Sequence, residues 1–212
     1  MSAAKDEILA RIRRAVGSRP PGRAAEYQAI PRRYRQAGSL DRAALLDLFE
    51  ERLRAYGAGV YRALPADLPA TIASAAGARG KSRLLVPAGV PAEWLPETLE
   101  FAPVESADYA ALDASQGALT ACSGAIAATG SILLTHGAAE GRRAVTLVPD
   151  YHLCVVRAEQ IVETVPEAFR RVHAVDASLL TTIAGPSATA DIELTRVQGV
   201  HGPRTLDVVI VE

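Results

Sequence analysis

The sequence predicts an α/β fold, a mostly parallel sheet with helices on both faces, preceded by an N-terminal helical extension. Three observations carry this. From residue 40 to the carboxyl end, segments of helical period trade places with short apolar runs of strand type. The runs, such as RLLV and VVIV, suit strands of a sheet covered on both sides. A chain of 212 residues, 49% hydrophobic and 22% charged, has the size and composition of one globular domain with an extension.

The elements follow in order. Ile8, Ile12 and Val16 share a helical stripe with Leu9 beside it, Asp6 and Glu7 lie in the first turn, and Gly17 can stop the helix. Residues 18–39 then carry Pro20, Pro21, Gly22, Pro31 and Gly38 among arginines, a linker composition. The expected division is therefore 1–36 for helix and basic linker and 37–212 for the α/β domain. Leu45, Leu48, Phe49, Leu53 and Tyr56 predict a helix over 40–56, ended by Gly57. Strands are expected at 60–64, 83–86 and 102–104, with helices at 67–76 and 92–99. The middle reads as strands at 118–122, 131–135, 144–148 and 152–156. Helices at 158–163 and 166–172, a strand at 180–184, a helix at 187–197 and a strand at 206–211 complete the chain.

Charge and cysteine content narrow the function classes. There are 23 basic and 24 acidic side chains, a net of -1, so nothing pulls the whole chain toward polyanions. Eight arginines and one acid, Glu26, fall between Arg11 and Arg35. This reads as a solvated or partner-docking face rather than a nucleic-acid site, since no reading-helix motif accompanies it. Cys122 and Cys154 are the only cysteines and lack CxxC spacing, so no metal and no cofactor is expected in this chain. The start MSAAKDEILARIRRAVGS has no apolar signal core, and no run reaches the roughly 18 apolar residues of a membrane span. A reduced cytoplasmic protein without a membrane partner fits these features.

Familiar catalytic motifs fail on inspection. GARGKS at 77–82 lacks the first P-loop glycine, since Ala75 stands there, and it leaves a helix to enter a strand. GAG at 57–59 lacks the third glycine of a dinucleotide fingerprint, where Arg62 stands, and no G-x-S-x-G occurs. Asp150, His152 and Cys154 would share one strand face, a spacing that could supply metal ligands or an acid–base pair, or else a packed or solvent-facing strand face. In residues 123–135, Gly124, Thr129, Gly130 and Ser131 read either as a tight turn between strands or as a backbone cradle for an anionic oxygen.

The stretch GPSATADIELTRVQGVHGP is the most informative. Gly185 and Pro186 end a strand, and Ser187 can cap a helix whose first N–H groups, with Thr189 in the first turn, would hold an anion beyond a strand's carboxyl end. Asp191 and Glu193 are candidates for base, nucleophile or helix-dipole roles. His201, beside Gly202, is a candidate donor, general base or structural turn residue.

Together GAIAATGSILL, RAVTLVPDYHLCVV and GPSATADIELTRVQGVHGPRTLDVVIVE resemble the LUD domain of the lactate-utilization protein C family, from about residue 40 to the end. The resemblance implies a sugar-phosphate isomerase/CoA-transferase-like fold. It also implies a cluster-free subunit in L-lactate oxidation to pyruvate, working beside iron–sulfur and cysteine-rich subunits and holding a small anionic metabolite or a partner. Whether the chain is itself an enzyme stays open. Two alternatives remain, a stand-alone isomerase or transferase acting on a phosphosugar, acyl-CoA or folate-like substrate, and a noncatalytic scaffold. Ala128 departs from the acidic or amide residue frequent in the family at that place, so chemistry at that position does not carry over.

Overall fold

The computed structural model describes residues 3–17, 23–173, 179–190, 196–199 and 201–212. The chain divides into two compact units, Met1–Tyr34 and Arg35–Glu212. The first holds α1 (Ala3–Val16), with Arg11 donating to Glu7 one turn earlier at 2.7 Å, and α2 (Arg23–Ala29) within the stretch expected to be linker.

The second unit begins with α3 (Arg42–Ala55), whose N-cap Asp41 accepts the Ala44 N–H at 2.9 Å. Leu46, Phe49 and Leu53 form its buried stripe. There follow β1 (Gly59–Ala63), α4 (Leu68–Ala78), β2 (Arg83–Val86), β3 (Glu100–Pro103), α5 (Tyr109–Asp113), β4 (Ala118–Thr120), β5 (Gly124–Ile126) and β6 (Ser131–Leu134). The chain continues with β7 (Tyr151–Arg157), β8 (Ile161–Val162), α6 (Val165–His173), β9 (Thr181–Ile183), β10 (Ala188–Ala190), β11 (Arg196–Gln198) and β12 (Thr205–Val211). No helix among the described residues is long and apolar enough to cross a membrane.

Six strands make one wholly parallel sheet in the order β1-β12-β7-β4-β2-β3. In β12, Leu206, Val208 and Ile210 point to one face and Val209 and Val211 to the other, so the strand is buried on both. Ile72, Ala75 and Ala76 of α4 cover the second face. The first face is covered by α3 together with a four-stranded mixed sheet, β8-β5-β6-β9. The outer side of that sheet carries α6 through Ala168 and Val172. The α/β class with helices on both faces is thus the observed one, and the second sheet is an addition to it.

Four expected elements are corrected. Residues 144–148 are not a strand but a 3₁₀ turn, Arg143–Thr146, buried at Ala144 and Val145 and followed by Pro149. An apolar run this short does not reveal its period. Residues 158–163 are a 3₁₀ turn, Ala158–Gln160, passing into β8. Gln160 caps its start by accepting the Arg157 N–H at 2.9 Å, and donates to the Cys122 carbonyl at 2.7 Å. Residues 92–99 shrink to the turn Ala92–Trp94, because Pro96 disfavours helix in the residue before it.

The fourth correction concerns the candidate site. No helix starts at Ser187, for the chain enters β10, which pairs antiparallel with β11. The Ser187 N–H donates to the Pro203 carbonyl at 2.8 Å, and the Ser187 carbonyl accepts the Gly199 N–H at 2.9 Å. These long-range bonds occupy the backbone groups that a helix start would have used. Residues 191–195, including Asp191 and Glu193, lie outside the described residues.

Candidate functional site

Where β9 leaves the second sheet, Gly185 turns the chain with φ 78°, and a Cβ there would stand 2.5 Å from the Tyr56 Cβ. Only glycine fits a left-handed backbone this close to the end of α3. The segment 185–188 is then stitched to the segment preceding β12. Besides the two backbone bonds at Ser187, its Oγ accepts the His201 N–H at 3.0 Å. Ser187 does cap a backbone N–H, but across the fold rather than along a helix.

These two loops wall a cavity of about 220 Å³. Gly185, Pro186, Ser187, His201 and Gly202 all line it, so five of the expected site residues come together. It sits beside the amino-terminal ends of β7 and β12, whose second residues, His152 and Leu206, also line it. This corrects the expected placement, since the carboxyl end that delivers Gly185 belongs to β9 of the second sheet.

Gly124, Thr129, Gly130 and Ser131 do not line this cavity. Gly130 has φ 60°, and a Cβ on it would meet the Arg52 Cβ at 2.7 Å and the Arg52 backbone carbon at 3.0 Å. The close approach that glycine permits here is made by α3. Thr129 Oγ1 donates to Ser131 Oγ at 2.8 Å, and Ser131 is buried in β6. Thr189 lies in β10.

The structure adds Arg143, Thr146, His152 and Thr181 to the lining. Arg143 is exposed and donates to Thr146 Oγ1 at 3.3 Å. No carboxylate lines the cavity among the described residues, and Arg143 is the one arginine or lysine there. His152 is 1% exposed. Its Nε2 lies 2.8 Å from the buried Thr120 hydroxyl, while its Nδ1 has no hydrogen-bond partner among the described residues. Burial, helped by the positive charge of Arg143, pulls its pKa down to about 4, so the ring is neutral near pH 7.

Thr181 is held from behind by His136, a non-glycine residue with φ 61°. His136 Nδ1 is 3.2 Å from the Gly141 carbonyl and its Nε2 2.8 Å from Thr181 Oγ1. A carbonyl only accepts, so in the neutral ring Nδ1 carries the proton and Nε2 accepts from the threonine. The Thr181 oxygen keeps its lone pairs for other partners. The alternation of Asp150, His152 and Cys154 brings no metal group together among the described residues. Asp150 faces Arg204 at 3.7 Å, and Cys154 is a buried free thiol. Sequence motifs missed Arg143 and Thr146 because they lie in an apolar run resembling a strand. His152 was visible as a strand residue, but its unpaired nitrogen was not.

Comparison with known proteins follows the same region. The family model described as LUD domain matches residues 46–211. The chain is 46% identical over 215 aligned residues to lactate utilization protein C of Deinococcus radiodurans, covering 98% of this chain and 95% of that one. It is 33% identical over 93 residues to lactate utilization protein C of Halalkalibacterium halodurans, 40% of that chain. A crystal structure of a DUF162 family protein from Deinococcus radiodurans superposes with a TM-score of 0.72 at 40% identity, covering 82% of this chain and all of that one.

Proposed function

This chain belongs to the LUD domain family, and from that premise we propose that it serves lactate utilization by holding a small carboxylate in the cavity between the 185–188 and 201–206 segments. The observation that carries the reading is the charge of the lining, one guanidinium, Arg143, and no carboxylate among the described residues. A guanidinium presents a planar fork of donors suited to a carboxylate. Ser187, Thr146 and Thr181 add hydroxyls around it, a lining for a ligand with one anionic group and a further polar atom.

Relatives named for lactate utilization support the metabolic assignment. With two cysteines in the whole sequence, this chain alone cannot supply the four thiolates of a common iron–sulfur cluster. The reading therefore assigns electron transfer to partner subunits with iron–sulfur or cysteine-rich motifs, and ligand holding to this chain.

Thermal unfolding with L-lactate, pyruvate and sulfate tests it. Ligand at about a hundredfold above Kd stabilises by about 2.7 kcal/mol, a shift of several degrees for a domain of this size. Lactate or pyruvate should raise Tm, and Arg143→Gln should abolish the shift. No shift with either carboxylate would end the reading.

A further inference from the structure

We propose that the amino-terminal unit is a docking arm whose helix α1 seats in an acidic groove at the β3 edge of a second copy of this chain. The two surfaces match in apolar character and in charge. The inference goes beyond the carboxylate reading and does not depend on it.

In α1, Ile8, Ile12 and Val16 recur every fourth residue and, with Leu9 beside them, form one stripe. They are 57%, 52% and 76% exposed, so most of this apolar face meets solvent. A helix with such a stripe is built to bury it. Arg11 and Arg13 border the stripe on its two sides. From Arg11 to Arg33 the chain carries seven arginines and one acid, Glu26.

The groove has the opposite character. β3 is the last strand of the parallel sheet, and beside it lies a groove of about 440 Å³ lined by Leu84, Leu85, Ala102, Pro103, Ala111 and Ala114. Arg83 is the one cation in its lining among the described residues. Between Arg83 and Arg142 the sequence holds no lysine or arginine, while Glu93, Glu97, Glu100, Glu105, Asp108 and Asp113 are all exposed. None of these six forms an ion pair among the described residues. Carboxylates gathered without cations repel one another, and a basic partner relieves that repulsion.

Charge also selects the pairing. Arm against arm would set arginines against arginines, and groove against groove carboxylates against carboxylates. Arm in groove satisfies both, as an amphipathic helix laid in an apolar channel with charged borders. The whole chain nets -1, so two copies approach without overall repulsion. Each copy carries both halves, and two reciprocal contacts close a twofold dimer.

Sedimentation velocity of the full chain tests this. At about 50 mM salt the wild type should form a dimer with Kd on the order of 10 μM. At about 0.5 M salt, where screening cuts the reach of charge to a few ångströms, Kd should rise tenfold or more. Ile12→Asp on the arm and Ala111→Arg in the groove, both at exposed positions, should each raise Kd about tenfold or more with circular dichroism unchanged. Should either variant not fold, the charge reversals Arg13→Glu and Asp113→Lys replace them with the same expectation. Carbodiimide coupling in a mixture of nitrogen-14 and nitrogen-15 chains should link Lys5 of one copy to an acid of residues 93–113 of the other. A monomer at low salt, a dimer that survives the arm change or the groove change, or links of Lys5 confined to single chains would overturn the inference. The carboxylate reading stands or falls separately, on the ligand-induced Tm shift.

Discussion

His152 is a stability device with a definite sign. Its folded pKa of about 4 lies below the ordinary 6.5 because burial, and then Arg143, disfavour the charged ring. Between those values the unfolded chain binds a proton that the native state does not, so acid favours unfolding. The contribution is fully present above about pH 6.5 and is lost as pH falls toward 4, to an extent on the order of 3 kcal/mol. Urea titrations from pH 7 to 4.5 should show wild-type stability falling more steeply than that of His152→Phe, and parallel slopes would contradict this. Gly130 is a second test at this scale. Alanine there meets both a left-handed backbone and the Arg52 main chain, for a predicted loss of about 2 kcal/mol or more. Gly57, with φ 88° and nothing within 4 Å of a built Cβ, should lose only about 1 kcal/mol on the same change. Because Gly130 lies outside the cavity, Gly130→Ala should leave carboxylate affinity unchanged in protein that remains folded.

Among the elements, β12 holds the parallel sheet together, paired on one side to β1 and on the other to β7. It also carries a fully buried charge. Asp207 takes Arg79 bidentately, at 2.7 and 3.0 Å, and the Tyr151 hydroxyl at 3.1 Å, tying the end of α4 to β12 and β7. A Cβ at Gly59 would lie 2.1 Å from the Asp207 carboxylate, so the neighbouring strand leaves the room this group needs. Burial and the adjacent carboxylate push the Tyr151 phenol upward, so it stays a donor across the physiological range. Asp207→Ala should cost about 3 kcal/mol, since it strands a buried hydroxyl and an arginine with only partial access to water. Tyr151→Phe should cost about 1 kcal/mol, and chemical denaturation measures both. The main-sheet strands were legible because continuous apolar runs such as VVIV fit a doubly covered sheet. In the second sheet β6 and β9 were legible as strands at 131–135 and 180–184, whereas β5 and β8 were not, because they are too short to show a period.

At the scale of the whole chain, the hydrophobic clusters among the described residues draw on residues from Leu45 onward. A chain beginning at residue 35 should therefore unfold cooperatively with stability within about 1 kcal/mol of the full protein. It should also bind carboxylate equally well; calorimetry that found no transition would refute this. What the sequence determined alone was local or patterned. It set the α/β class through alternating periods, and the chain breakers around residues 185–203 through Gly and Pro. The tertiary structure decided the rest, because those properties depend on partners distant in the chain. Pro203 and Gly199 claim the backbone of Ser187 and so replace the expected helix with a strand. Packing of α3 fills the space at Gly130. The meeting of β7 and β12 with the 185–188 segment places Arg143 and His152 around one cavity. Local propensity is a weak preference per residue, and long-range hydrogen bonds and burial outweigh it.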